Sequence, residues 1–197
     1  MKKNKKYIET SKIPPMPSLT TERLVLRPLH VIDARDMYEY ACREDLTKYL
    51  LWAPHSSLSF TQEYLSFIQS RYRAGDFFDL AIILKSQSKM IGTVGFTRID
   101  ISSDLGEIGY VINPEYHRQG LGFEAASKIL EYGFDTLNLH RIEVKFMRGN
   151  DASFALAKKL GMTFEGYHRD SMLVKGEYKT IGYCSILREE YRQNKKK

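Results

Sequence analysis

The chain has 197 residues, 43% hydrophobic and 27% charged, enough for one domain with a sizeable core. No apolar run approaches the roughly 18 residues of a membrane span, and the lysines of MKKNKKYIETSKIPPMPS have no apolar segment behind them, so the expectation is a cytoplasmic protein without an export signal. The net charge of +6 is carried by the ends: without Lys2, Lys3, Lys5, Lys6, Lys195, Lys196 and Lys197 the remainder stands at −1, which gives the body no electrostatic case for nucleic acid. A ribosome or RNA contact through these lysines stays open beside simple solvation. Cys42 and Cys184 are far apart and in no metal-like spacing, and His30, His55, His117, His140 and His168 form no spaced set, so reduced thiols and no metal are expected.

In chain order, residues 1–19 read as a mobile basic arm, with Pro14, Pro15 and Pro17 opposing regular helix. Leu24 to Arg27 forms a strand stopped by Pro28. Asp33 caps a helix running to about Cys42, with Met37, Tyr38 and Ala41 on one side. The stretch 46–58 is loop-like yet holds Tyr49, Leu50, Leu51, Trp52 and Pro54, so it either tucks into the core or lines a pocket. Ser59 and Gln62 suggest a capping box for a second helix that carries Phe60, Tyr64, Phe67, Ile68 and Tyr72 and closes near Gly75. Phe77–Leu84 and Met90–Ile99 make a hairpin. A strand over Leu105–Ile112 leads to a helix from about Gly120 to Leu137, with Phe123, Ala126, Leu130, Phe134 and Leu137 on one face. Arg141–Met147 alternates as a strand, and Asn150 or Asp151 starts a helix closed by Gly161. Strands over 163–174 and 177–188 pair across Lys175-Gly176. The domain spans 20–190, with 191–197 a basic tail. The strand–helix–strand crossing from 105 to 147 implies parallel neighbours inside an otherwise antiparallel sheet, a mixed α/β (α+β) fold.

The most informative stretch is EIGYVINPEYHRQGLGFEAA, residues 107–126. A strand feeds a loop with Gly120 and Gly122 and then a helix. The first N–H groups of that helix lack internal acceptors, and its dipole favours negative charge, so the arrangement suits a phosphate.

With RIEVKFMRGNDASFALAKKLGMTFEG at 141–166, TERLVLRPL at 20–28 and the GEY turn at 176–178, this stretch resembles the GNAT-superfamily N-acetyltransferases, and within them the ribosomal-protein N-terminal acetyltransferases of the Rim group. The resemblance implies a GNAT fold, whose mostly antiparallel sheet is splayed between its two parallel middle strands and flanked by helices. It implies acetyl-CoA as co-substrate. The pyrophosphate would lie on the amides of Arg118, Gln119, Gly120, Leu121, Gly122 and Phe123. Backbone groups of Tyr110, Val111 and Ile112 would meet the pantetheine, with Asn150 reaching it from the far side. Asn150 also reads as a plain helix cap. One mark departs from the family loop, His117 standing where the pattern has Gln or Arg.

Acetyl transfer to an amine needs an unprotonated nucleophile, a polarised thioester carbonyl and a proton for the departing thiolate. The tyrosine that many family members use as acid falls here on Ala157. The Rim-type Asn-x-x-Ser is matched by Asn150 and Ser153, so Ser153 is the expected acid or hydrogen-bond donor. The glutamate of one Rim-type pattern falls on Met172, which leaves Glu107 as the first candidate base and Asp170 as the second. Deprotonating an α-amine of pKa about 8 at pH 7 costs about 1.4 kcal/mol, against roughly 4.6 kcal/mol for a lysine of about 10.4, so a weak base favours an α-amine. Tyr49, Trp52 and Asp170 are candidate acceptor contacts. The expected partner is a protein N-terminus or a small amine such as an aminoglycoside or polyamine, handled by a monomer or homodimer. A non-catalytic acyl-CoA-binding module is the alternative.

Overall fold

The computed structural model describes residues 17–74 and 78–195. Most of the expected N-terminal arm (1–16), the helix end at Gly75, the strand start at Phe77, and Lys196 and Lys197 lie outside the described residues. The strands are β1 (Leu19–Thr20), β2 (Leu24–Pro28), β3 (Phe78–Leu84), β4 (Lys89–Asp100), β5 (Leu105–Ile112), β6 (Arg141–Met147), β7 (Thr163–Val174) and β8 (Glu177–Leu187). The helices are α1 (Ala34–Ala41), α2 (Glu44–Thr47), α3 (Leu58–Ala74), α4 (Leu121–Glu131), α5 (Asp151–Lys159) and α6 (Arg188–Asn194). The strands form one sheet in the order β1-β2-β3-β4-β5-β6-β8-β7.

Every neighbouring pair is antiparallel except β5 and β6. These two are parallel, joined through α4 as a crossover requires. Their pairing is short: Leu105↔Arg141, Gly106↔Ile142 and Glu107↔Glu143. Beyond Glu107 the strands part, while β5 stays bonded to β4 as far as Ile112. The sheet therefore opens in its middle.

Alternation of side chains sends Phe78, Leu80 and Ile82 of β3 to one face, packed with Leu121, Ala125 and Ile129 of α4. Ala81 and Ile83 point to the other, against Met37, Tyr40, Leu65 and Ile68 of α1 and α3. On this second face Asp79 pairs with Gly95, and Gly95 with Gly109. Two adjacent glycines make a lane across β4 and β5 with no side chains of its own, and the Thr97 methyl covers its Gly109 end, where a Cβ would meet Thr97 Cγ2 at 2.5 Å. A side chain at Gly95 would stand 2.1 Å from the Phe78 carbonyl, so the lane is also fixed by close packing.

Several local expectations change. A short strand, β1, lies at the end of the segment read as an arm, paired with β2. The Asp33 carboxylate does not cap α1; it accepts from the His30 N–H (2.8 Å) and pairs with Arg27 (2.7 Å). The buried side of α1 is Met37, Tyr40 and Ala41 rather than one with Tyr38, since i, i+3, i+4 align on a helix. The cap of α3 is Ser57, whose hydroxyl accepts from the Phe60 N–H at 3.1 Å, and the face turned to the core is Thr61, Leu65 and Ile68, which leaves Phe67 exposed. The helix expected to reach Leu137 ends at Glu131 in a π-helical turn, Tyr132–Thr136. There a Cβ on Gly133 would meet Ile142 at 2.6 Å and Phe96 at 2.8 Å, so the chain comes down onto the sheet. The segment read as a tail from 191 begins inside α6. The Glu190 carboxylate caps α6 by accepting from the Leu187 N–H (2.8 Å), and Tyr191 is buried against Phe134, ring centroids 4.8 Å apart.

Candidate active site

The turn from β5 into α4 is built by two residues in the left-handed region, Arg118 (φ 59) and Gly120 (φ 78). Glycine takes that conformation without steric cost; a side chain at 120 would be strained. The first helical N–H bond runs from Glu124 to the Gly120 carbonyl at 3.0 Å, so the amides of Leu121, Gly122 and Phe123 have no acceptor inside the helix. A Cβ on Gly122 would meet Ile112 Cγ1 at 3.4 Å, so glycine keeps the backbone uncovered.

Neighbours fix this turn. Arg23 donates to the Gln119 carbonyl (3.0 Å) and pairs with Glu124 (2.7 Å), to which Thr21 also donates (2.6 Å). Burial alone would raise the Glu124 carboxyl, but the Thr21 and Arg23 donors hold it below its ordinary value. His117 Nε2 lies 2.8 Å from the Ile112 carbonyl, so the residue that departs from the family loop staples the loop to β5. That carbonyl is therefore engaged within the protein. Gln119 is exposed and Leu121 is buried, so Leu121 offers only its amide. Phe123 is half-buried, with Lys159 Nζ 4.5 Å from its ring centroid.

A cavity of about 720 Å³ passes through the parted strands. Its walls include Tyr110 and Val111 of β5, Val144 and Phe146 of β6, and Asn150 and Ser153 at the start of α5. Asn150 caps α5, its side-chain oxygen accepting from the Ser153 N–H at 3.2 Å. Ser153 is brought into contact with a residue whose side chain sequence reasoning missed: Tyr110 Oη lies 2.8 Å from Ser153 Oγ and 3.1 Å from the Ser153 carbonyl. Burial pushes the Tyr110 phenol up to about 12, against a smaller opposite pull from Ser153. The signal for this pair was there, since Tyr110 is the β5 residue that shares the face of α5, but the side chain carries no motif.

Glu107, at the last paired position before the parting, also lines the cavity. Both its oxygens are engaged, Oε1 by the Thr97 hydroxyl (2.9 Å) and Oε2 by Lys145 Nζ (2.6 Å). Burial disfavours the Lys145 charge, but Glu107 and Glu143 outweigh it and raise the lysine above its usual value. Met172 lines the cavity as well. Asp170 does not join them. It is exposed at an irregularity of β7 (φ 49), outside the cavity wall, with its carboxylate accepting from Thr180 at 3.4 Å.

The far wall comes from α1, β3, β4, α3 and the loop after α2. Tyr49 and Trp52 line it, and so do Tyr40, His55, Tyr64, Asp79 and Thr93. Trp52, Phe60 and Tyr64 surround the His55 ring at 5.0–5.4 Å between centroids. His55 Nδ1 lies 2.9 Å from the Thr61 hydroxyl, and burial lowers its pKa, keeping it neutral. Asp79 was not singled out by sequence; its one signal is that it interrupts the apolar run FFDLAIIL. Loss of surrounding water pushes its carboxyl up to about 7, with Thr93 and the Leu80 N–H opposing. Among the described residues no cluster of His, Cys, Asp and Glu could hold a metal, and no helix is long and apolar enough to cross a membrane.

A mixed sheet opened between its two parallel strands, with free helix amides at one end of the opening, defines the protein as an N-acetyltransferase of the GNAT fold. Residues 23–163 match the acetyltransferase (GNAT) domain family, and the chain belongs to it. It is 34% identical to the uncharacterized N-acetyltransferase p20 of Bacillus licheniformis, over 89% of this chain and 99% of that protein. It is 30% identical to the ribosomal protein uS5-alanine N-acetyltransferase of Escherichia coli, over 84% and 88%. Spermidine N(1)-acetyltransferase of Escherichia coli is 25% identical, over 89% and 91%. Among solved structures, a GCN5-related N-acetyltransferase from Brucella melitensis has a TM-score of 0.83 at 25% identity, covering 93% of this chain and 84% of that one.

Proposed function

We propose that the protein transfers acetyl from acetyl-CoA directly to a primary amine, and that this amine is the α-amine of a protein N-terminus. The observation that carries the reading is the parting of β5 and β6 after Glu107, which opens a cavity beside the Tyr110–Ser153 hydroxyl pair.

The residues present fit the co-substrate. The amides of Leu121, Gly122 and Phe123, with Arg118 beside them, would hold the pyrophosphate, since free N–H groups converging at a helix start favour an anion. The amides and carbonyls of Tyr110 and Val111, together with Asn150, would meet the pantetheine. Acetyl-CoA supplies an activated thioester carbonyl. Transfer forms an N–C bond at the acceptor and breaks the C–S bond, so one proton must leave the nitrogen and one must reach the sulfur. The Tyr110–Ser153 pair donates to the sulfur: a phenol held up to about 12 is fully protonated at neutral pH and is replenished through the serine hydroxyl. Glu107, with both oxygens taken, receives the other proton through water rather than by direct contact.

That weak base supports the choice of acceptor, because an α-amine already yields its proton at about 1.4 kcal/mol at pH 7. The uS5-alanine acetyltransferase relative points the same way, and the spermidine acetyltransferase relative keeps a small polyamine as the second reading. The test is an acceptor screen of Ala- and Ser-terminated peptides, N-blocked lysine peptides and small amines, followed by CoA release. Fastest turnover of the free N-terminal peptides is expected. Turnover confined to lysine side chains or small amines would overturn the assignment.

A further inference from the structure

The far wall of the cavity carries polar groups that the transfer step does not use. Tyr40 is 0% exposed, and its hydroxyl is buried without a hydrogen-bond partner among the described residues, although the residue lines the cavity. An unpartnered buried hydroxyl is costly, so a polar group that reached it would be stabilised. Beside it stands Asp79, a carboxylate at the cavity wall whose polar partners are the Thr93 side chain and the Leu80 N–H, with no cation among the groups that act on it. Tyr40, Tyr64 and Asp79 line the same cavity. Burial lowers the pKa of the nearby His55, which disfavours a counter-charge there.

The lane of glycines connects this spot to the reaction. Asp79 pairs with Gly95 and Gly95 with Gly109 on β5, next to Tyr110. Thr97 and Glu107 border the lane on one side. Two inter-strand steps of about 4.8 Å separate Asp79 from β5, so its carboxylate is too remote to take a proton from the reacting nitrogen and near enough to hold another part of the same acceptor. An acceptor in the cavity, whose wall includes Asp79, Gly95, Thr97 and Gly109, would run from one to the other, passing over the Thr97 methyl that covers Gly109.

We propose that Asp79, with the Tyr40 hydroxyl, forms a cation subsite that receives a second ammonium or guanidinium group of the acceptor, about 10 Å from the reacting amine. The inference rests on the acetyltransferase reading above and adds the acceptor's charge pattern to it. A bound cation gives the carboxylate a charged partner and holds it ionised, in a cavity that Trp52 and Tyr64 also line. Two sources carry this chemistry: a lysine or arginine at the second or third position of an N-terminal peptide, and the far end of a diamine.

Steady-state kinetics with matched acceptors tests it. One arm compares Ala-Lys-Gly and Ala-Gly-Lys amides with their norleucine counterparts; the other compares diaminoheptane with heptylamine. Each acceptor is measured with the wild type, Asp79→Asn and Tyr40→Phe. The cationic member of at least one arm is expected to have a kcat/KM about tenfold higher, expressed mainly in KM, and the arm that shows it identifies the source. Asp79→Asn should bring the ratio close to one, and Tyr40→Phe, which keeps the ring and the fold, should lower it in the same direction. Equal kcat/KM for cationic and neutral acceptors, or an unchanged ratio in both variants, would overturn the subsite while leaving acetyl transfer intact. Failure to acetylate any amine would instead overturn the underlying reading, and the subsite with it.

Discussion

The two walls of the cavity are built in opposite ways. The wall proposed to hold acetyl-CoA comes from residues 107–111 of β5, continued along the chain by the glycine turn into α4 and joined by Asn150 and Ser153 at the next helix start. The wall proposed to face the acceptor is gathered from α1, the loop at 49–56, α3, β3 and β4, and no two of its polar groups share a motif. The first would work through backbone amides and a glycine turn, which relatives can share. The second would work through side chains, Asp79, Tyr40, Trp52 and Tyr64, whose identity would set what can enter. Family membership therefore speaks for the first wall, and specificity must be read from the second.

Substitutions can break this division. The largest effect is expected for Tyr110→Phe, which removes the phenol from the Ser153 pair: kcat should fall by about 10²-fold, in the range of a lost general acid, with a smaller change in KM. Ser153→Ala tests the other member, and full turnover in both variants would remove the pair from the chemistry. Next comes Gly120→Asp, which places a strained φ and a negative charge at the helix start. Acetyl-CoA affinity measured by calorimetry should drop by tens of fold, roughly the 2 kcal/mol that backbone strain and charge repulsion together supply. Trp52→Ala acts on the opposite wall, so the acceptor KM should rise about fivefold while acetyl-CoA affinity stays near wild type. Equal effects on both ligands would show that the walls are not separable.

Glu107→Gln is expected to be the mildest, about threefold or less in kcat, because Thr97 and Lys145 already occupy the carboxylate. The pH profile carries the same sign. For an α-amine acceptor, kcat/KM should rise between about pH 6 and 8 as the amine loses its proton, then stay level to about pH 10. No basic limb is expected there, because Tyr110, pushed up to about 12, remains protonated. A fall beginning near pH 8.5 would point to a different acid.

The same contrast governs what the sequence could reveal. β5 and β6 were read with their observed bounds, because alternation and flanking turns are local signals. The start of α4 was equally plain from Gly120, but its end was not: the π-helical turn depends on Gly133 meeting Ile142 and Phe96, which are distant in sequence. α6 was hidden because its lysine-rich surroundings look like a solvated tail, and only the buried contact of Tyr191 with Phe134 reveals it. Asn150 and Ser153 are singled out by the resemblance to the Rim group, whose Asn-x-x-Ser they match. The partner of Ser153 was not, since Tyr110 was valued for its backbone alone. Asp170 looked like a pocket carboxylate and lies outside; Asp79 looked like a break in an apolar strand and lies inside. Register across three strands decides that difference, and no short window of sequence contains it.

A crystal structure with CoA bound tests the central claim most directly. The sulfur should lie within hydrogen-bond reach of Tyr110 Oη or Ser153 Oγ, about 3.5 Å, with the pyrophosphate on the amides of Leu121, Gly122 and Phe123 and the lane from Gly109 to Asp79 left open. CoA bound outside the parting of β5 and β6, or its sulfur remote from both hydroxyls, would contradict it.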